Sequence, residues 1–124
     1  GKIQGSETSG VDELTACGEN LVFGFGEIST DQVESWSPEK WGMPTHPFEH
    51  LEGGDLGRNL EIMKGLLDGK GPAGLRATIA MNASVAFQTC GKTKSLEEGL
   101  ELTQTLISEG KVKEWVDKAS SFFA

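Results

Sequence analysis

Gly71-Pro72-Ala73-Gly74-Leu75-Arg76-Ala77-Thr78-Ile79-Ala80-Met81-Asn82-Ala83-Ser84-Val85-Ala86-Phe87-Gln88-Thr89-Cys90-Gly91 reads as one helix from end to end. Pro72 suits a first turn, because its fixed φ is helical and its missing N–H is not needed there. Leu75, Ile79, Ala83, Ala86, Phe87 and Cys90 recur at helical spacing, which predicts that this stripe faces the core. Gly91 supplies the stop. Asn82 lies inside the apolar run. A buried amide needs partners, so it is expected to bond backbone or a neighbouring helix.

Three more helical segments share residues 55–124 with this one. Asp55 reads as the N-cap of the first, with Leu60, Met63, Leu66 and Leu67 as its stripe and Gly69 at its end. Asn59 is read like Asn82, as a buried amide with a partner. Ser95-Leu96-Glu97-Glu98 is a capping box, in which Ser95 accepts from the Glu98 amide and Glu98 reaches back to Ser95. Leu96, Leu100, Thr103, Leu106 and Ile107 follow, and Gly110 closes the helix. The last carries Val112, Trp115, Val116, Ala119, Phe122 and Phe123, expected in the core or at a domain interface. Short connections predict mostly antiparallel neighbours.

Residues 1–54 read differently, as strands and loops. Asn20-Leu21-Val22-Phe23-Gly24-Phe25 is β-prone and bounded by glycine. Ile28 and Val33-Glu34-Ser35-Trp36 continue as a weaker strand after a turn at Thr30-Asp31-Gln32. Ser37 and Pro38 open a helical turn that Gly42 stops, and Pro44 and Pro47 force extended backbone before them. Strands over 1–54 and helices over 55–124 make an α/β unit: a partial sheet or hairpin followed by four packed helices. The strands are too few for a complete sheet, and Gly1-Lys2-Ile3-Gln4-Gly5 reads like a strand end. The expectation is therefore a fragment of a larger domain, with a sheet edge that could pair with a second copy.

The 124 residues suit one domain and include 36% hydrophobic and 24% charged residues. The formal net charge of −8 argues against general nucleic-acid or anionic-membrane binding, which needs a basic footprint. No run approaches the length of a membrane span, and no signal peptide opens the chain. Cys17 and Cys90 are the two cysteines, read as reduced, partly buried thiols of a cytoplasmic protein.

Few patterns carry chemistry. In Gly10-Val11-Asp12-Glu13-Leu14, adjacent carboxylates follow a flexible stretch. In a turn they can converge on one hard cation such as Mg²⁺, with substrate phosphates completing its shell. Glu7 is a further neighbour in sequence. His46-Pro47-Phe48-Glu49-His50 matches a zinc-protease pattern, but Pro44 and Pro47 break the helix that pattern requires, so a surface loop is expected. Gly53-Gly54-Asp55 is read as a tight turn and cap rather than an anion site. No complete active site is present.

Taken in order, Gly10–Leu14, Pro38-Glu39-Lys40-Trp41-Gly42, Leu51-Glu52-Gly53-Gly54-Asp55, Asn59, Gly71-Pro72, Met81-Asn82-Ala83, Ser95-Leu96-Glu97-Glu98-Gly99 and Ser108-Glu109-Gly110-Lys111 resemble the carboxy-terminal part of the anthranilate phosphoribosyltransferase family. The resemblance implies a nucleoside-phosphorylase/phosphoribosyltransferase-like α/β domain beside a small helical domain through which the parent dimerises. It implies phosphoribosyl transfer from phosphoribosyl diphosphate to anthranilate, in tryptophan biosynthesis, with Mg²⁺. The family's metal-binding Asp-Glu pair carries over to Asp12 and Glu13. Its glycine-rich Gly-Thr-Gly-Gly-Asp loop and Lys-His-Gly-Asn segment have no counterpart in residues 1–124, so no catalytic residue is assigned and this piece alone is expected to be inactive. Two alternatives share the architecture: a paralogue binding another ligand, and a pyrimidine-nucleoside-phosphorylase-like enzyme.

Overall fold

A computed structural model describes Gly1 and residues 10–123. Two short strands, β1 (Asn20–Val22) and β2 (Glu34–Trp36), precede four helices. These are α1 (Leu56–Leu67), α2 (Ala73–Thr89), α3 (Leu96–Ser108) and α4 (Lys111–Phe123). Single 3₁₀ turns at Gly26–Ile28, Pro38–Trp41 and Phe48–Leu51 punctuate the first half. The strands pair antiparallel, with Asn20 opposite Trp36, Leu21 opposite Ser35 and Val22 opposite Glu34.

The α/β reading and all four helices hold, with detailed corrections. β1 ends at Val22, and Gly26–Ile28 is a 3₁₀ turn rather than part of a second strand. The strand is short because Gly24 turns the chain: its N–H donates to Thr30 Oγ1 at 3.0 Å, and its carbonyl accepts from Thr30 N at 3.2 Å. Those bonds replace the next rung of a ladder. Phe23 and Phe25 are left exposed, edge to face on each other. Ser37 makes no side-chain cap to the turn it precedes.

α2 is the central element. It has its most extensive helix contact with α3, and both Gly26–Ile28 and Phe48–Leu51 lie against it. Its buried residues are Gly74, Ala80, Met81 and Ser84, not the expected stripe. Ile79 and Cys90 are exposed. A helix with neighbours on several sides has no single apolar face, so periodicity misleads there. Small residues mark the true contact. A Cβ on Gly99 of α3 would stand 2.5 Å from Ser84 Oγ and 2.7 Å from Ser84 Cα, so glycine is what lets the two helices approach. Ser84 Oγ donates to Leu96 O, and Thr103 Oγ1 donates to Gly99 O at 2.9 Å within α3 beside the same seam.

The caps explain the helix limits. Asp55 accepts from Arg58 N at 2.8 Å, as expected. Ser95 accepts from Glu98 N at 3.2 Å, but Glu98 reaches back to Lys94 N (2.8 Å) rather than to Ser95. Gly91 ends the α2 region at φ 66°, a left-handed value that costs glycine little.

The core comprises Ala16, Cys17, Trp36, Ala80, Met81 and Leu100. It therefore joins the loop before β1 to α2 and α3. α1 and α4 contribute no buried residue. Leu60 and Met63 of α1 are exposed, and so are Val112, Trp115, Phe122 and Phe123 of α4. The described residues cover the expected stripes only in part: Leu66, Leu67, Val116 and Ala119 are half-buried.

Candidate functional site

The candidate site is built on the loop from Gly10 to β1. Asp12 and Glu13 occupy a bend, and both are exposed. Just before Asp12, Val11 N donates to Gly1 O at 2.7 Å.

Beyond Glu13 the backbone is held by side chains rather than by a ladder. Leu14 N donates to Asn82 Oδ1 (3.2 Å), Thr15 N to Asn20 Oδ1 (2.7 Å), Ala16 N to Thr78 Oγ1 (3.0 Å) and Cys17 N to Thr15 Oγ1 (3.1 Å). Asn20 is fully buried, and its amide nitrogen donates to Thr15 O, Gly18 O and Trp36 O. Ala16 O accepts from His46 N at 2.9 Å. The buried Cys17 thiol donates to Pro47 O. Each such bond contributes about 1 kcal/mol net, and each buried partner left alone would cost more. The carboxylate pair therefore sits at the exposed end of a stiff, buried segment.

This network includes residues that sequence reasoning passes over, Thr15, Asn20 and Thr78 among them. Only Asn82 stands out in the sequence, and its expected partner is found: Leu14 backbone, with a further bond from Asn82 Nδ2 to Thr78 O. Asn59 also finds backbone partners, Gly54 N (2.9 Å) and Gly54 O (3.0 Å), but it is exposed rather than buried. Asp55, as expected, fills the amide site after Gly53-Gly54. Glu7 lies outside the described residues.

The His46–His50 segment lies at the surface as expected, with Pro47 and Glu49 exposed, but it is more ordered than a plain loop. Both rings are half-buried, with centroids 5.6 Å apart, and the backbone is a 3₁₀ turn rather than an α-helix. His50 Nδ1 accepts from Gly74 N at 3.1 Å. The ring thereby caps α2, whose N-cap residue Pro72 offers no side-chain acceptor. That nitrogen is unavailable to a metal. Among the described residues, no three His, Cys, Asp or Glu side chains gather as a metal cluster.

A concavity of ≈ 390 Å³ lies beside His46, between Met43, Pro44, Arg76, Ala80 and Gln104. Ala77 and Ala80 of α2 line it, whereas Thr78 and Asn82 bond the carboxylate loop. Burial, then the charges of His50 and Arg76, hold the His46 pKa below the usual histidine value. The unfolded chain then binds more protons than the folded one just below about pH 6.5. The contribution of His46 to stability is present above that pH and is lost as pH falls towards the lowered folded value. Thermal melts from about pH 7.5 downward should show this loss, and His46→Gln should flatten the slope.

The fold is an α/β unit in which an exposed carboxylate pair sits at the end of a loop beside a helical layer. Residues 6–113 match the glycosyl transferase family, a/b domain, and the chain belongs to that family. Among its relatives, the anthranilate phosphoribosyltransferase of Deinococcus radiodurans is 34% identical over 111 residues, covering 88% of this chain and 32% of the relative. That of Rubrobacter xylanophilus is 35% identical over 101 residues, covering 82% of this chain and 29% of the relative. The crystal structure of the Thermus thermophilus anthranilate phosphoribosyltransferase superposes with a TM-score of 0.80 at 31% identity, covering 91% of this chain and 33% of that one. The chain thus spans about a third of the length of these relatives. No helix among the described residues is long and apolar enough to cross a membrane.

Proposed function

We propose that this chain is the carboxy-terminal, metal-binding part of a Mg²⁺-dependent anthranilate phosphoribosyltransferase of tryptophan biosynthesis, working in the cytoplasm and inactive without the rest of the protein. The observation that carries the reading is agreement in fold and sequence with such an enzyme across nearly the whole chain. In the reaction, the bond from ribose C1 to the diphosphate oxygen breaks, a bond from C1 to the anthranilate nitrogen forms, and pyrophosphate and a proton leave. A bound Mg²⁺ would neutralise the leaving pyrophosphate.

The residues present fit that ion. Asp12 and Glu13 are hard oxygen donors, both exposed, and the next residue, Leu14, is held by Asn82. Mg²⁺ commonly takes one or two protein carboxylates and leaves its other positions to water and phosphate, so a two-carboxylate site is sufficient. The role of this chain is then to present two carboxylates to a cation held jointly with the diphosphate. The test is turnover by the complete protein, followed as loss of anthranilate fluorescence with phosphoribosyl diphosphate and Mg²⁺. Mg²⁺-dependent turnover is expected. A folded but silent protein would favour a paralogue that binds another ligand, and turnover by residues 1–124 alone would remove the claim of inactivity.

A further inference from the structure

We propose that Asn82 is a positioning residue for the metal-binding pair, and that Thr78, one turn earlier on α2, supports it. This rests on the reading of Asp12 and Glu13 as Mg²⁺ ligands. The argument begins at the peptide group that follows Glu13. Its N–H, on Leu14, donates to Asn82 Oδ1 at 3.2 Å, and the next carbonyl, Leu14 O, accepts from Asn82 Nδ2 at 2.8 Å. One side-chain amide therefore grips both polar groups of Leu14, as a neighbouring strand would.

The amide cannot turn over. Asn82 Nδ2 also donates to Thr78 O at 2.8 Å, so both of its protons are used. A flipped amide would set its oxygen against two carbonyls and its nitrogen against an N–H. The orientation is thus fixed by α2, which belongs to the core through Ala80, Met81 and Ser84. Thr78 Oγ1 takes the Ala16 N–H at 3.0 Å, from one turn earlier on the helix. The two contacts anchor the loop immediately after the carboxylates, while the carboxylate residues stay exposed.

Such a clamp matters to a cation. A loop that must order itself on binding spends ordering entropy that would otherwise appear as affinity. Partners one shell out from a metal typically change its affinity about 10–100-fold when removed. Asn82→Ala should therefore weaken the cation site by about tenfold or more, although Asn82 never touches the ion. A purely structural role would lower the melting temperature and leave the affinity of the folded protein alone.

The experiment titrates Mn²⁺ into the complete protein with inorganic pyrophosphate present, reading free Mn²⁺ by electron paramagnetic resonance. The variants are Asn82→Ala, Thr78→Val, Thr78→Ser and Asp12→Asn/Glu13→Gln, with circular dichroism to report folding. The expected result is a loss of affinity for Asn82→Ala, a smaller loss for Thr78→Val, and recovery for Thr78→Ser, which restores the hydroxyl. The apparent activation constant for Mg²⁺ should rise in parallel, with kcat largely restored at saturating Mg²⁺. Folded Asn82→Ala protein that binds Mn²⁺ like wild type overturns the proposal. If that variant does not fold, equal affinities for Thr78→Val and Thr78→Ser overturn it instead. Should Asp12→Asn/Glu13→Gln keep full Mn²⁺ affinity, the metal reading itself falls and takes the clamp with it. Loss there with retention in Asn82→Ala removes the clamp alone.

Discussion

Replacing Asp12 and Glu13 together by alanine is expected to lower the proposed phosphoribosyl transfer by the complete protein at least about 100-fold at limiting Mg²⁺, while leaving its thermal stability almost unchanged. The two halves of this result have separate causes. Both side chains are exposed, and among the described residues the adjoining loop is held through the Leu14 backbone, not through the carboxylates. Exposed substitutions away from caps and packing usually change stability by less than about 0.5 kcal/mol. The chemistry is another matter. Departure of pyrophosphate leaves charge to be neutralised, and a metal contributes several kcal/mol to such a step, of which about 1.4 kcal/mol is already tenfold in rate. Raising Mg²⁺ should recover part of the lost rate, because diphosphate brings the ion with it. Equal loss at every Mg²⁺ concentration, or no loss at all, would argue against a metal role for the pair.

The second large effect belongs to the fold. Gly99→Ala should destabilise the protein by about 3 kcal/mol, at the upper end of what overpacking usually costs. The added carbon would lie 2.7 Å from Ser84 Cα, so relief requires movement of α2 backbone rather than of a flexible side chain. It would also disturb the donation from Ser84 Oγ to Leu96 O. The same substitution at Gly65, inside α1, should act in the opposite direction. There the nearest atom, Gly71 N, is 4.0 Å away, and alanine is favoured over glycine in a helix by about 1 kcal/mol. Denaturant melts of the two variants test the packing directly. Similar behaviour would mean that the α2–α3 seam is looser than the structure shows.

How much of this is legible in the sequence differs from element to element. The four helices follow from their stop and start residues: Asp55 and Ser95 as caps, and glycine just beyond α1, α2 and α3. These are local signals and need no tertiary context. The face each helix buries is less legible. The even spread of apolar and small residues around α2 offers several stripes, and the one through Leu75, Ile79 and Ala83 gives way to Gly74, Ala80, Met81 and Ser84. The exposed Trp115, Phe122 and Phe123 show the converse, a clean stripe of which the described residues cover only the Val116 and Ala119 part. At the site, Asp12 and Glu13 are visible as an adjacent pair after a glycine- and serine-containing stretch. What holds them is not, because Leu14 and Asn82 are 68 positions apart.

Sequence alone determined the helix limits, the likeness to a family through an ordered series of short motifs, and the carboxylate pair that family implies. It could do so because caps, glycine stops and adjacent side chains are decided within a few residues of chain. Only the tertiary structure decided that His50 caps α2 instead of holding a metal, that Ser84 and Gly99 set the distance between two helices, and that Asn82 and Thr78 reach back to the loop behind Asp12 and Glu13. Each of these depends on which polar group is left without a local partner when the helices pack. A buried amide or carbonyl must then be satisfied by whatever the fold brings near it, however distant in sequence.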